Sequence, residues 1–234
     1  MATTLNLRNT MNVVAPFLKN QPLEVSNMEP ALMVGNIVLS AMLGPPLRWR
    51  QNRVEINFPI SSGGTDYQQA VANFGFIEDA WLVDGQSPPS QHPLSGALAL
   101  TVNPDQKRPE KIAPQFDDNA GNITFRFDAT PDQAYTCYVD FQQTAALMTS
   151  PASGWGPVPD YFNYIFNFGF LAVISLLVND ARFPIFEKYF IGRLLAAQSG
   201  LSEQERAIFL ANWATGMMTL KKNDIMAGSG LQGS

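Results

Sequence analysis

The chain has 234 residues and a net charge of −5, from 15 Lys and Arg against 20 Asp and Glu, a balance that speaks against a nucleic-acid binder built on a basic patch. Only 15% of its residues are charged, against about 25% in typical globular domains, while 16 Phe, 17 Pro and 17 Gly suit a protein that covers much of its surface with partners. One cysteine, Cys137, and one histidine, His92, exclude an intrachain disulfide and a Cys/His zinc site, and a Ser-His-Asp triad would have to use that single histidine.

Residues 1–28 read as an extended arm: Pro16 and Pro22 interrupt any helix, and Leu5, Val13, Val14, Phe17 and Leu18 are scattered apolar anchors. The start, MATTLNLRNTMNVV, lacks the basic beginning and long apolar core of a signal peptide. A helix follows, capped by Ser26 or Asn27, with Pro30 in its first turn and Gly44-Pro45-Pro46 as its stop. Next, LRWRQNRVEINF turns out of the helix into a strand over 54–58. Trp49 among Arg48, Arg50 and Arg53 is read as a packed ring at a junction, with the arginines paired to carboxylates such as Glu55, in preference to a phosphate or base contact.

From 54 to 142 the texture changes to short alternating runs. The expected strands are 67–73, 76–84, 97–102, 122–128 and 134–141. Ile123, Phe125 and Phe127 share one face by alternation, and with Tyr135, Cys137, Val139 and Phe141 they line a compact antiparallel sheet or small sandwich. DDNAGNITF reads as a hairpin, with Asn and Gly where φ turns positive. Cys137 is read as a small buried thiol. The acids Glu78-Asp79 and Asp117-Asp118 lack the spacing of an EF-hand loop and are read as solvated strand and loop residues.

After Leu147, TSPASGWGPVP is a linker. It leads to the longest apolar run, Tyr161 to Val178, free of charge between Asp160, its expected N-cap, and Asp180. A helix apolar on every side must be enclosed by protein or by lipid. Asn163 and Asn167 one turn apart, Ser175 and Asn179 repeating that spacing, and the lack of a Lys or Arg anchor in front favour protein over a membrane span. Asn179-Asp180 ends the run, and Pro184 opens a helix over 185–197. The last helix is expected over 202–220, with Ser202 and Glu205 as a capping box, followed by a polar, flexible tail over 221–234. The fold class is therefore α+β: a discontinuous helical bundle, 29–53 and 157–220, with an antiparallel β module over 54–147 inserted between its parts.

This order resembles the head-to-tail adaptor (connector) proteins of tailed bacteriophages, of the tail tubular protein A type. The likeness rests on LGPPLRWRQNRVEINF and on YTCYVDFQQTAALMTSPASGWGPVPDYFNYIFNFGFLAV followed by DARFPIFEKYF, and it loosely covers 27–220. It implies a structural, non-enzymatic virion protein of the phage neck, made in the host cytoplasm. In such proteins roughly a dozen copies form a closed ring beneath the portal, with DNA passing through the bore without specific binding. The implied partners are other copies of the chain, the portal protein and tail or nozzle proteins, with no membrane. By the same likeness the stretch from Lys221 is a portal-docking arm, with Lys221, Lys222, Ile225, Met226 and Leu231 as its contact residues, and the β module faces tail proteins or neighbouring subunits.

The residues themselves show no GxGxxG and no P-loop, and no cofactor is expected. Another tail or capsid component, such as a distal tail, decoration or fibre-attachment protein, is the alternative reading. A glycan hydrolase using Glu78 and Asp117 is a third, although such enzymes need two carboxylates about 5–10 Å apart and nothing in the sequence places these two together.

Overall fold

The computed structural model describes residues 6–14, 17, 29–118, 120–150, 152, 162–198 and 200–229. It divides into two units, one formed by 1–51 with 145–234, the other by 52–144, in an α+β architecture.

In the helical unit Leu7, Thr10, Met11 and Val14 recur at the spacing of one helix face, and all four are buried along α1, Leu7–Val14. The extended arm expected over 1–28 is thus corrected at 7–14, while Ser26 and Asn27 lie outside the described residues. A helix of eight residues is not stable alone; α1 stands because its apolar face joins the core of this unit. Pro30 falls in the first turn of α2, Glu29–Leu43, which stops at Gly44 as expected. Behind it, Trp49 is buried: its Nε1–H donates to the Met42 carbonyl at 2.6 Å, and its ring meets Phe162 edge-on at 4.9 Å. A ring so enclosed has no face left for a base.

The apolar run becomes α3, Asn163–Leu177, with Ile165, Phe166 and everything from Gly169 to Ser175 buried. Asp160, its expected cap, lies outside the described residues; the residue at the cap is Phe162, which makes no side-chain cap bond. The helices α1 and α2 enclose it, together with α4, Phe183–Ala196, and α5, Glu203–Ser229. Gly169 makes that closeness possible, since a methyl there would lie 2.6 Å from Val38 Cγ1 and 2.8 Å from the Phe190 ring. Asn179 ends α3 with a left-handed φ of 54°, and the Asp180 N–H reaches back to the Ser175 carbonyl at 2.8 Å, which closes the helix. Among the described residues no helix is long and apolar enough to cross a membrane.

The capping box forms: the Ser202 N–H donates to Glu205 Oε2 at 2.9 Å, and the Glu205 N–H to Ser202 Oγ at 3.2 Å. The helix it starts runs on through Ser229 and does not stop at Leu220. The flexible tail expected from 221 is corrected accordingly: 221–227 holds neither Pro nor Gly, and polarity alone does not end a helix.

The β unit holds two four-stranded sheets. One has the order β1 (Arg53–Ile60), β10 (Tyr135–Gln143), β3 (Phe74–Asp84), β4 (Gln91–Pro93), antiparallel throughout. The other has the order β2 (Asp66–Ala70), β8 (Asn122–Phe127), β7 (Lys111–Asp117), β5 (Ser95–Gly96), with its β5–β7 pair parallel. A short parallel pair, β6 (Asn103–Gln106) with β9 (Ala129–Thr130), completes the unit. Phe58, Leu82, Cys137 and Val139 from the first sheet share one core with Ile112, Ile123, Phe125 and Phe127 from the second; the Phe58 and Phe125 rings stack at 5.7 Å. Alternation along β10 and β8 places these side chains inward, as expected.

Residues 97–102 form no strand, and Leu98 is 99% exposed. The strand lies instead at β7, where Pro114, a poor strand former, sits beside a register irregularity. The insert is bounded at 52 and 144, not at 54 and 147. Asn52 Nδ2 donates to the Gln143 carbonyl at 2.7 Å, which ties 52 into the β unit. Asn36 grips both backbone groups of Met148, at 2.8 and 3.2 Å, which ties 148 to α2.

Candidate assembly surfaces

The helix α4 has two stripes. Phe186, Phe190 and Leu194, spaced by four, are buried. On the other side Ile185, Lys188, Tyr189, Gly192, Arg193 and Ala196 share an exposed face. Ile185 is 54% and Tyr189 51% exposed, with the Tyr189 ring leaning on Phe168 at 5.3 Å. Among the described residues neither Lys188 nor Arg193 meets a carboxylate. Glu187, the acid on this helix, is engaged elsewhere: its Oε1 accepts from Trp213 Nε1 at 2.9 Å.

The helix α5 buries only Phe209, Trp213 and Met217 between Ala207 and Thr219; the other residues of that uncharged span are exposed, including Ile208, Leu210 and Met218. Between α2 and α5 lies a cavity of about 210 Å³ lined by Ile37, Ala41, Pro45, Trp213, Gly216 and Met217 among others, with no ionisable side chain. It offers shape and apolar surface but nothing to move a proton.

Of the five residues expected in a docking arm, Lys221, Lys222, Ile225 and Met226 lie on the backbone of α5, and Leu231 lies outside the described residues. Lys221 is exposed and borders a second cavity of about 340 Å³ together with Ser175, Asn179, Asp180 and Pro184. The exposed face of α4 was missed because Ile185 and Tyr189 read like core residues; its signal is a helix with two apolar stripes, the second flanked by a Lys and an Arg.

In the β unit, the outward face of the first sheet carries a row of three acids. Glu55 is paired with Asp140, and Asp140 with Asp79, in direct cross-strand register. The next row outward brings Trp81 and Tyr138 into a parallel stack at 5.4 Å, both half-buried. Arg53 binds Glu78, and its Nη1 stands 3.9 Å from Asp140; the expected partner, Glu55, is corrected to these two. Burial, with Glu55, Asp79 and Glu78 near by, holds the Asp140 carboxyl above its ordinary pKa against the pull of Arg53, and its Oδ1 is buried without a hydrogen bond.

Residues weighed for catalysis are engaged structurally. His92 Nε2 faces Asp84 at 3.5 Å and its Nδ1 faces Arg108 Nη1 at 3.2 Å, so both ring nitrogens are committed. Asp84 also accepts from the Ser90 N–H at 2.8 Å, which with a weaker bond from Gln86 holds its carboxyl below the usual range. Glu78 belongs to β3 of one sheet and is held by Arg53 and Gln142, whereas Asp117 ends β7 of the other. Cys137 is fully buried, and desolvation pushes its thiol up to about 12. Among the described residues no group of three or more His, Cys, Asp or Glu is placed to hold a metal ion. The described residues present three surfaces: the α4 face, the uncharged span of α5, and the acidic, aromatic face of the first sheet. No protein-family model matches this sequence, and no curated protein matches it.

Proposed function

We propose that this chain is a structural, non-enzymatic subunit of a tailed-phage neck, an adaptor that joins the portal to the tail and lines part of the DNA passage as a ring of copies. The observation that supports this reading most is the helical unit, discontinuous around a β insert, with the apolar residues that α4 (Ile185, Tyr189) and the uncharged span of α5 leave exposed. Monomeric proteins rarely expose large contiguous apolar patches unless a partner covers them. In this reading the far end of α5, with Lys221, Lys222, Ile225 and Met226, meets the portal, the β unit meets tail or nozzle proteins, and DNA passes without being held. The chain is made in the host cytoplasm and ends in the virion.

The test is the native mass of the purified chain, alone and mixed with a portal, together with imaging of its symmetry. A cyclic oligomer, alone or on a portal, is expected; a chain without portal affinity, whether monomeric or ring-forming, overturns the reading. Removing 221–234 should leave thermal stability unchanged, because among the described side chains of α5 the last buried anchor is Met217 and Lys221 is exposed, yet weaken portal binding. Lower stability with portal binding intact would contradict the role given to this end of α5.

A further inference from the structure

The exposed stripe of α4 and the outward face of the β1-β10-β3-β4 sheet have opposite character. On α4, Lys188 and Arg193 flank Ile185 and Tyr189 with no carboxylate partner among the described residues. On the sheet, Glu55, Asp140 and Asp79 stand side by side next to the stacked Trp81 and Tyr138. Like charges directly opposite one another across strands are destabilising. Here one guanidinium, that of Arg53, serves both Glu78 and Asp140. The row is thus short of positive charge, and α4 holds two cations short of negative charge.

We propose that the exposed face of α4 in one copy of this chain docks on the outward face of the β1-β10-β3-β4 sheet of a second copy. Lys188 and Arg193 meet the Glu55–Asp140–Asp79 row, and Ile185 and Tyr189 meet Trp81 and Tyr138. The dimensions agree: Lys188 and Arg193, five residues apart on α4, are separated by about 7.5 Å along the helix, and the Glu55–Asp140–Asp79 row crosses two inter-strand steps, about 10 Å. Two α4 faces brought together would repel, as would two sheet faces, so each contact joins unlike faces, and repeated head-to-tail from copy to copy it is heterologous. A heterologous contact closes into a ring or grows as a filament. The inference rests on the assembly reading above and supplies the contact that reading lacks.

Two variants test it in the full chain, Lys188→Glu with Arg193→Glu, and Glu55→Lys with Asp79→Lys. All four positions are exposed, and circular dichroism checks that each variant folds. At low ionic strength and high protein concentration the unaltered chain should self-associate, and each variant should do so about tenfold more weakly or worse. Mixing the two variants restores opposite charges at both kinds of contact, so association should recover in the mixture alone. Added salt should weaken every productive pairing. A chain that stays monomeric at low salt, variants that associate as tightly as the original, or a mixture that fails to recover each overturn this interface. Rings formed equally well by both variants sink the interface and leave the adaptor reading standing. A recovered mixture whose rings have no portal affinity does the reverse.

Discussion

The helical unit and the β unit handle charge and apolar surface in opposite ways. In the β unit apolar side chains alternate inward and charged ones face outward, several of them in pairs: Arg126 clasps Asp66 with two bonds of 2.7 Å, Arg53 clasps Glu78, and Lys107 nears Asp128 at 3.9 Å. In the helical unit α3 is apolar on nearly every side, α4 has two apolar stripes, and no charged residue occurs between Arg206 and Lys221 of α5. A sheet with one inner face has an obvious outside. A bundle whose helices are apolar all round does not, and the same kind of surface serves its core and its exposed faces.

The largest expected effects test whether the two cores are separate. Phe170 is fully buried in the helical core and Phe125 in the β core. Phe170→Ala and Phe125→Ala should each cost about 3–5 kcal/mol, read by denaturant unfolding with amide exchange reporting each unit. Each substitution should raise exchange mainly in its own unit. If either loosens both units equally, the comparison of two cores fails. Gly169→Ala comes next, because the added methyl must push Val38 and the Phe190 ring aside; overpacking of this kind costs about 1–3 kcal/mol. Unchanged stability would show that α3, α4 and α2 are less tightly packed than their spacing implies. Ser202→Ala removes the cap of α5 and should cost about 1 kcal/mol, visible as faster exchange over the first turn of that helix.

Legibility followed the same division. The β10 and β8 alternation, the turn at Gly121 with its φ of 92°, the stop of α2 and the capping box were readable because each depends on near neighbours. Asp118 shows why: its carboxylate collects the Ala120 and Asn122 N–H groups and Asn122 Nδ2 within four residues. The pairing of β1 with β10 was not readable, since Phe58 meets Cys137 only through the fold. Short α1 was hidden by Thr10 among its buried positions and by Pro16 close behind. At the candidate interface Ile185 and Tyr189 looked like core residues, and only the packing of Phe186 and Phe190 beneath them shows which stripe of α4 faces out.

The smallest expected effect concerns pH. In the helical unit Asp180 is held at about 2 by hydrogen bonds from the Arg182 side chain and backbone. A depressed carboxyl contributes stability that is present above its ordinary value of 3.8 and is lost as pH falls toward about 2. In the β unit Asp66, lowered first by its hydrogen bonds from Arg126, behaves alike. Asp140 has the opposite sign. Its folded carboxyl lies above the ordinary value through burial and neighbouring acids, so its contribution is favourable in acid and is lost as pH rises through the raised value. Asp140→Asn should therefore stabilise the β unit within the full chain at neutral pH, read by amide exchange over that unit, with the gain vanishing below the ordinary carboxylate range. An equal gain at every pH would assign the effect to packing around the buried Oδ1. A loss at neutral pH would mean that the 3.9 Å approach of Arg53 outweighs the three neighbouring acids, and that the row is not short of positive charge.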